Sequence, residues 1–315
     1  MIEYFLRRAG SAVIVLILAS FGIFGILHLA PGNPAVVLAG PDASPSVVAA
    51  ITQELGLNRS LPAQYWAWLH GVLTGQLGRS YILGVPIGQL ILHNLGNTAE
   101  LTVAAAIIAV VLGFALGVLG AVTRNRFGQG VLMGINTLAL AVPTYVSGIV
   151  LILIFSLALP ILPPGGVVPL SSPASLLRYL IMPAFCLALP VAAVFSRYLA
   201  DAMRQVLGED FIRTARATGV SRWRVIWRHA LPNALPQILA ILGIQFGTML
   251  GGAAIVEALF AWPGVGQLLV TSTQDRDYLV VQDLLLWGVL IFTVLQLLTD
   301  LGYAWLDPRV RLENR

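Results

Sequence analysis

Six stretches of this chain, near residues 9–30, 99–122, 131–159, 179–202, 235–258 and 284–304, are long, apolar and almost free of charge. A bilayer core ~30 Å thick is crossed by about 20 apolar residues in helical form, because a helix satisfies its own backbone hydrogen bonds where no water is present. The chain is therefore predicted to be all-α and to cross a membrane about six times, which puts both ends on one side. Composition agrees with this. With 58% hydrophobic and 10% charged residues and a mean hydropathy of +0.87, too little polar surface exists to cover a water-soluble globule of 315 residues.

Several chemistries are removed by what the chain lacks. All 18 basic residues are arginines, so no lysine is available for a P-loop, a Schiff base or a general base. The single cysteine, Cys186, sits in an apolar run and reads as a small buried hydrophobe, leaving neither a disulfide framework nor a cysteine-based metal site. His28, His70, His93 and His229 are scattered, with no pair at helical spacing, so no metal centre is expected. An intramembrane protease would need a nucleophile with its base or facing histidine ligands, and the spans carry neither. The net charge of +4 is not read as a nucleic-acid footprint, because in a membrane protein the position of each arginine matters more than the sum.

Those positions give an orientation. Arg7, Arg8, Arg124, Arg126, Arg204, Arg213, Arg216, Arg222, Arg224, Arg228, Arg309, Arg311 and Arg315 fall on the side of the termini, and Arg59, Arg79, Arg178 and Arg276 opposite. The positive-inside rule makes the termini cytoplasmic. The first run is about 20 residues long and shows no convincing cleavage site, so it is expected to stay as an anchor. The expected organisation is a tail and first span (1–30), an external helical cap (31–95), and a five-helix core (96–315) with a cytoplasmic loop at 203–234. The aromatic cluster Tyr65, Trp66 and Trp68 in the cap is expected at headgroup level, with ligand binding as the alternative.

The loop is the most informative stretch. Gly219 ends one helical pattern, Ser221 is placed to cap the next, and Pro232 is expected to stop it after about three turns. Trp223, Ile226, Trp227 and Ala230 recur at i, i+3, i+4 and i+7, predicting one apolar face, with Arg224 and Arg228 on another. Such a rod fits either the bilayer surface, with arginines on anionic lipid, or a groove in a soluble partner.

The loop also resembles the permease subunits of ABC importers, whose signature is Glu-Ala-Ala, three residues, Gly, nine residues, Ile-x-Leu-Pro. Here Ala215, Gly219, Leu231 and Pro232 match in register, while Thr214, Arg216 and His229 depart in the manner of the dipeptide, oligopeptide and nickel branch. The likeness extends to Pro31-Gly32-Asn33-Pro34, where Asn33 replaces the family's more usual Asp. It includes Leu77-Gly78-Arg79-Ser80-Tyr81, the run Phe260-Ala261-Trp262-Pro263-Gly264-Val265-Gly266, and Leu306-Asp307-Pro308-Arg309-Val310-Arg311. The long segment after the first span is similar to the B-type, or first, permease of such a pair. The resemblance implies a type I importer fold in a bacterial inner membrane, a second permease as heterodimer partner, two ATPase subunits and an external substrate-binding protein. It also implies that this chain is no enzyme and binds no cofactor, ATP and Mg being held by the ATPase subunits. Ala215, Gly219, Ser221, Trp223, Ile226, Trp227, Leu231 and Pro232 would then couple the chain to an ATPase, and short peptides, with nickel chelates as the alternative, would be the cargo.

Polar residues inside the spans are expensive toward lipid and give a second set of candidates. Asn136, Thr144 and Ser147 in the third span and Gln245 and Thr248 in the fifth either line a path or bond between helices. Pro143 is expected to kink the third span. Gly243, Gly247 and Gly251, spaced by four, predict close approach of another helix. Glu257, Trp262, Pro263 and Gly264, at the end of the fifth span, are candidates for an external gate or scaffold.

Overall fold

The computed structural model describes residues 2–29, 34–40, 42–166 and 173–306. Pro31, Gly32 and Asn33 of the first loop motif and residues 307–311 of the last lie outside them. Among the described residues the chain is helical, with one isolated bridge between Arg79 and Pro86. The helices are α1 (Ile2–Leu29), α2 (Pro34–Ala39), α3 (Pro45–Glu54), α4 (Leu61–Thr74), α5 (Ile87–Val122), α6 (Arg126–Ala141), α7 (Thr144–Ile152), α8 (Pro173–Gly208), α9 (Asp210–Ala217), α10 (Arg222–Arg224), α11 (Leu231–Phe260), α12 (Val265–Gln274) and α13 (Tyr278–Leu306). All six apolar runs fall on helices. Arg8–Leu29, Ile87–Val122 and Ser175–Gly208 are each long and apolar enough to cross a membrane unbroken.

The third run is not one kinked span. Pro143 has no N–H to give, and the chain turns by 105° between α6 and α7 before ending in a wide π-helical stretch, Leu153–Ala158. A proline at the very boundary lets two helices start and stop independently, so the bend far exceeds an ordinary proline kink.

The chain divides into two compact units, one of residues 1–97 with 263–315 and one of residues 98–262. In the first unit α1 lies along α13, and α12 packs on α13. Prolines open α3 and α4, where the missing donor costs nothing, and Gly75 closes α4 in the left-handed region at φ 74°. The aromatic cluster of α4 departs from the headgroup expectation. Tyr65 is buried, stacked on Phe21 at 4.4 Å, with its hydroxyl 2.8 Å from Ser20 Oγ. Trp68 donates its indole N–H to Asp283 at 2.7 Å, and only Trp66 stays exposed. Both rings, Tyr65 buried and Trp68 half-buried, have a polar tip, and each found a partner on a span.

In the second unit α8 is the hub, contacting α6, α7 and α11. Its residues Met182, Ala184, Cys186, Leu187 and Val191 pack with Leu101, Ala105 and Ala109 of α5 and with Met249, Ala253, Val256 and Phe260 of α11. Small residues permit this closeness, although not where the spacing pointed. A Cβ added at Gly247 or Gly251 meets nothing within 4 Å, whereas one at Gly113 would lie 2.5 Å from Phe195, and one at Gly117 2.8 Å from Leu199. The tight crossing therefore belongs to Gly113 and Gly117 of α5, also four apart, and Gly247 and Gly251 of α11 face away from the described neighbours.

Candidate functional site

The loop between α8 and α11 is built from a helix stop and a helix start. At the end of α9, Gly219 N–H donates to the Arg216 carbonyl and Val220 N–H to the Ala215 carbonyl, both at 3.1 Å, with Gly219 at φ +83°. This six-to-one and five-to-two pairing satisfies two orphan carbonyls and reverses the chain in one residue. Ser221 then has the extended backbone of a cap, φ −61° and ψ 147°, but its side chain makes no capping bond. The expected position holds and the expected bond does not.

Pro232 does not stop the helix. The chain continues from α10 through a π-helical turn, Val225–Ala230, directly into α11, where Pro232 stands in the first turn. A proline needs no donor there, and the widened turn before it absorbs the ring. The short rod is thus the leading end of a spanning helix, which ties any push on it to α11.

The apolar face also divides. Ile226 and Ala230 are buried with Leu231 among Phe195, Leu199 and Met203 of α8. Trp223 is left 69% exposed and Trp227 37% exposed, their rings 5.2 Å apart, with Trp227 also 5.9 Å from Phe114. Two indoles held in contact at a surface form an apolar platform that water covers poorly. Around it the arginines act as clamps. Arg222 donates to the Val122 carbonyl at 2.8 Å and Arg204 to the Gly120 carbonyl at 3.2 Å, so both satisfy carbonyls at the C-terminal end of α5, where positive charge also suits the helix dipole. Arg204 further pairs with Asp201 at 2.6 Å.

The polar residues of the spans do not converge. Asn136 is buried and donates to Ser196 Oγ on α8 at 3.1 Å, a bond between helices. Thr248 turns its hydroxyl back to the Gln245 carbonyl at 2.8 Å, and Thr144 accepts the Cys186 thiol proton on its carbonyl, the S···O distance being 3.2 Å. Ser147 and Gln245 are half-buried. Glu257 is fully buried and accepts from Thr98 Oγ1 at 2.7 Å, while its carbonyl accepts from the Trp262 N–H at 2.9 Å. In the other unit, the Pro263 carbonyl accepts from Asn97 Nδ2 at 2.7 Å and Gly264 is the N-cap of α12.

Sequence reasoning named one motif without finding its partner. In the first unit, Gly78 sits at φ +80°, where an added Cβ would meet Leu279 at 3.3 Å, and Arg79 Nε clips the Gly84 carbonyl at 2.9 Å. Ser80 donates to buried Asp277 at 2.5 Å, and the Ile82 N–H reaches the same oxygen at 3.3 Å. Burial, then the nearby Asp277 and Asp283, push the Tyr81 phenol up to about 12, so it keeps its proton. The Leu77-Gly78-Arg79-Ser80-Tyr81 motif is thus a clasp closed by an acid 197 residues away.

Comparison with known proteins places this geometry. The family of binding-protein-dependent transport system inner membrane components matches residues 110–312, and its N-terminal counterpart matches residues 1–87. A probable peptide ABC transporter permease protein, y4tP of Sinorhizobium fredii, is 38% identical over 98% of this chain and 99% of its own length. The glutathione transport system permease protein GsiC of Salmonella choleraesuis is 37% identical over 99% of both. Two inward-facing structures of the MetNI methionine ABC transporter share the fold, with TM-scores of 0.58 and 0.54 at 20% and 19% identity, each over 70% of this chain and 98% of theirs.

Proposed function

The chain belongs to the family of binding-protein-dependent transport system inner membrane components, and from that premise we propose that it is the first permease subunit of an ATP-driven importer of short peptides. It pairs with a second permease, is driven by two ATPase subunits that hold ATP and Mg, and receives cargo from an external binding protein. Both termini lie in the cytoplasm, following the arginine distribution. The chain itself turns over no ATP, in keeping with a sequence that has no lysine for a P-loop. The peptide reading rests on full-length relatives that carry peptide and glutathione permease names.

The observation that carries the mechanism is the exposed indole pair at the head of α11. Trp223 and Trp227 seat in a groove of an ATPase subunit, with Gly219 as the reversal beside them and Ala215, Ser221, Ile226, Leu231 and Pro232 as the frame. Because the π-turn runs without a break into α11, closure of the ATPase pair displaces a membrane helix rather than a loose loop. In the same reading, Asn136, Thr144, Ser147, Gln245 and Thr248 face or brace the path, and Glu257, Trp262, Pro263 and Gly264 form the scaffold of its external end.

Nickel chelates are the alternative cargo. In cells lacking other peptide importers, deletion of this gene is expected to abolish uptake of labelled di-, tri- and pentapeptides while nickel accumulation persists. Lost nickel accumulation with unchanged peptide uptake would reject peptides as cargo and leave the permease assignment intact.

A further inference from the structure

Where α5 and α8 end, the second unit holds a cavity of about 280 Å³ whose wall carries Arg124, Arg204, Arg216 and Arg222. Among the described residues no carboxylate lines it. Arg204 and Arg222 are steadied by the Gly120 and Val122 carbonyls, and the acid Asp201 pairs with Arg204 alone. The side chains of Arg124 and Arg216 have no hydrogen bond or ion pair among the described residues. Four guanidinium groups around one concavity repel one another, and each keeps donors beyond those already used. The species that suits them is a multivalent oxyanion, which planar guanidinium groups grip two bonds at a time.

Two further features say what carries that anion. The cavity lies at the last turns of two spanning helices, α5 closing at Val122 and α8 at Gly208, which is headgroup depth for a bilayer. Leading to it along α5 is an exposed row at four-residue spacing, Val103, Ile107, Val111, Ala115 and Leu119. By helix rise the row is about 24 Å long, more than one leaflet of a ~30 Å core. An apolar track ending in an arginine cup fits an acyl chain joined to a phosphate.

We propose that this cavity binds the phosphate headgroup of an anionic membrane phospholipid, whose chain lies on the α5 row. Basic pockets between membrane helices on the cytoplasmic side suit such headgroups. The lipid then buttresses the root of the coupling loop, since Arg216 and Arg222 lie on α9 and α10, between α8 and α11, whereas Arg204 is on α8 and Arg124 just past α5.

The test uses the full purified chain in detergent, with bound lipid counted by native mass spectrometry. Phosphatidylglycerol is expected to be retained over phosphatidylcholine of the same chains. The variant Arg124→Gln with Arg216→Gln should weaken retention by about tenfold or more, the loss of one or two charge-assisted bonds. Arg224→Gln with Arg228→Gln removes the same charge outside the cavity and should leave retention unchanged. All four residues are exposed, so folding is not at stake. Equal losses from both double variants, no headgroup preference, or capture of added inorganic phosphate without retained phospholipid would each overturn the proposal.

Discussion

The Ser80–Asp277 clasp and the loop from Asp210 to Pro232 both concentrate charge, yet they handle it in opposite ways. In the clasp, Asp277 and Asp283 are buried, and each rests one oxygen on donors from the same unit, Ser80 and Ile82 for the first and Trp68 for the second. In the loop the charges are arginines at the surface together with the exposed Asp210, which pairs with Arg213, and the large apolar rings stand exposed beside them. Burying an ion is costly unless its partners are in place, so a buried acid with fixed donors holds one conformation. Exposed guanidinium groups cost little where they are and keep most of their bonding capacity for something else, while the exposed indoles are apolar surface that gains by being covered. The clasp is therefore construction, and the loop is an interface.

The largest expected effect breaks the first half of that contrast. Asp277→Ala orphans the Ser80 hydroxyl and the Ile82 N–H inside the protein, at about 1.5–3 kcal/mol for each bond to a charged group. The expected outcome is a thermal aggregation midpoint lowered by roughly 5–10 °C in detergent, with ATPase co-purification intact in the protein that survives. An unchanged midpoint would show that the clasp is not structural.

A smaller effect, of opposite kind, belongs to the loop. The pair Trp223→Ala and Trp227→Ala removes rings that are partly or mostly in water already, so stability should move by less than about 1 kcal/mol. Docking should fall by about 2–4 kcal/mol, some thirty-fold or more, because aromatic anchors dominate interfaces. Membrane level, midpoint and ATPase co-purification are measured together. A large loss of midpoint with full co-purification would reverse the assignment of interface and core.

Much of this organisation was legible because it is local. The six apolar runs, the Gly219 reversal and the Ser221 boundary are properties of a few consecutive residues, and the structure keeps each of them. What was not legible depends on partners far along the chain. Tyr65 and Trp68 looked like headgroup aromatics because nothing near them discloses Ser20 or Asp283. Asp277 carried no signal at all, since its partner is 197 positions away. Four-residue glycine spacing occurs on two helices, and periodicity alone does not say which face meets a neighbour, so Gly247 and Gly251 were chosen where Gly113 and Gly117 make the close approach. Pro232 failed for another reason. A breaker rule assumes a regular helix, and the π-turn before it removes the clash on which the rule rests.

The smallest effect sharpens what kind of interface the loop is. Gly219 sits at φ +83°, and an added Cβ there would meet nothing within 4 Å of this chain. Gly219→Ala is therefore free of internal clash and bears only the left-handed backbone penalty, about 1 kcal/mol. Asparagine tolerates that conformation better, so Gly219→Asn should recover most of the loss in stability. The two variants separate conformation from contact. If the reversal alone matters, co-purification with the ATPase follows stability, mildly reduced for alanine and nearly normal for asparagine. If the partner's groove closes over Gly219 itself, both side chains obstruct it, and asparagine, the larger, docks worse than alanine despite the better fold. Thermal midpoints and ATPase capture on the same preparations decide between them, and a variant pair in which neither quantity moves would remove Gly219 from the coupling site.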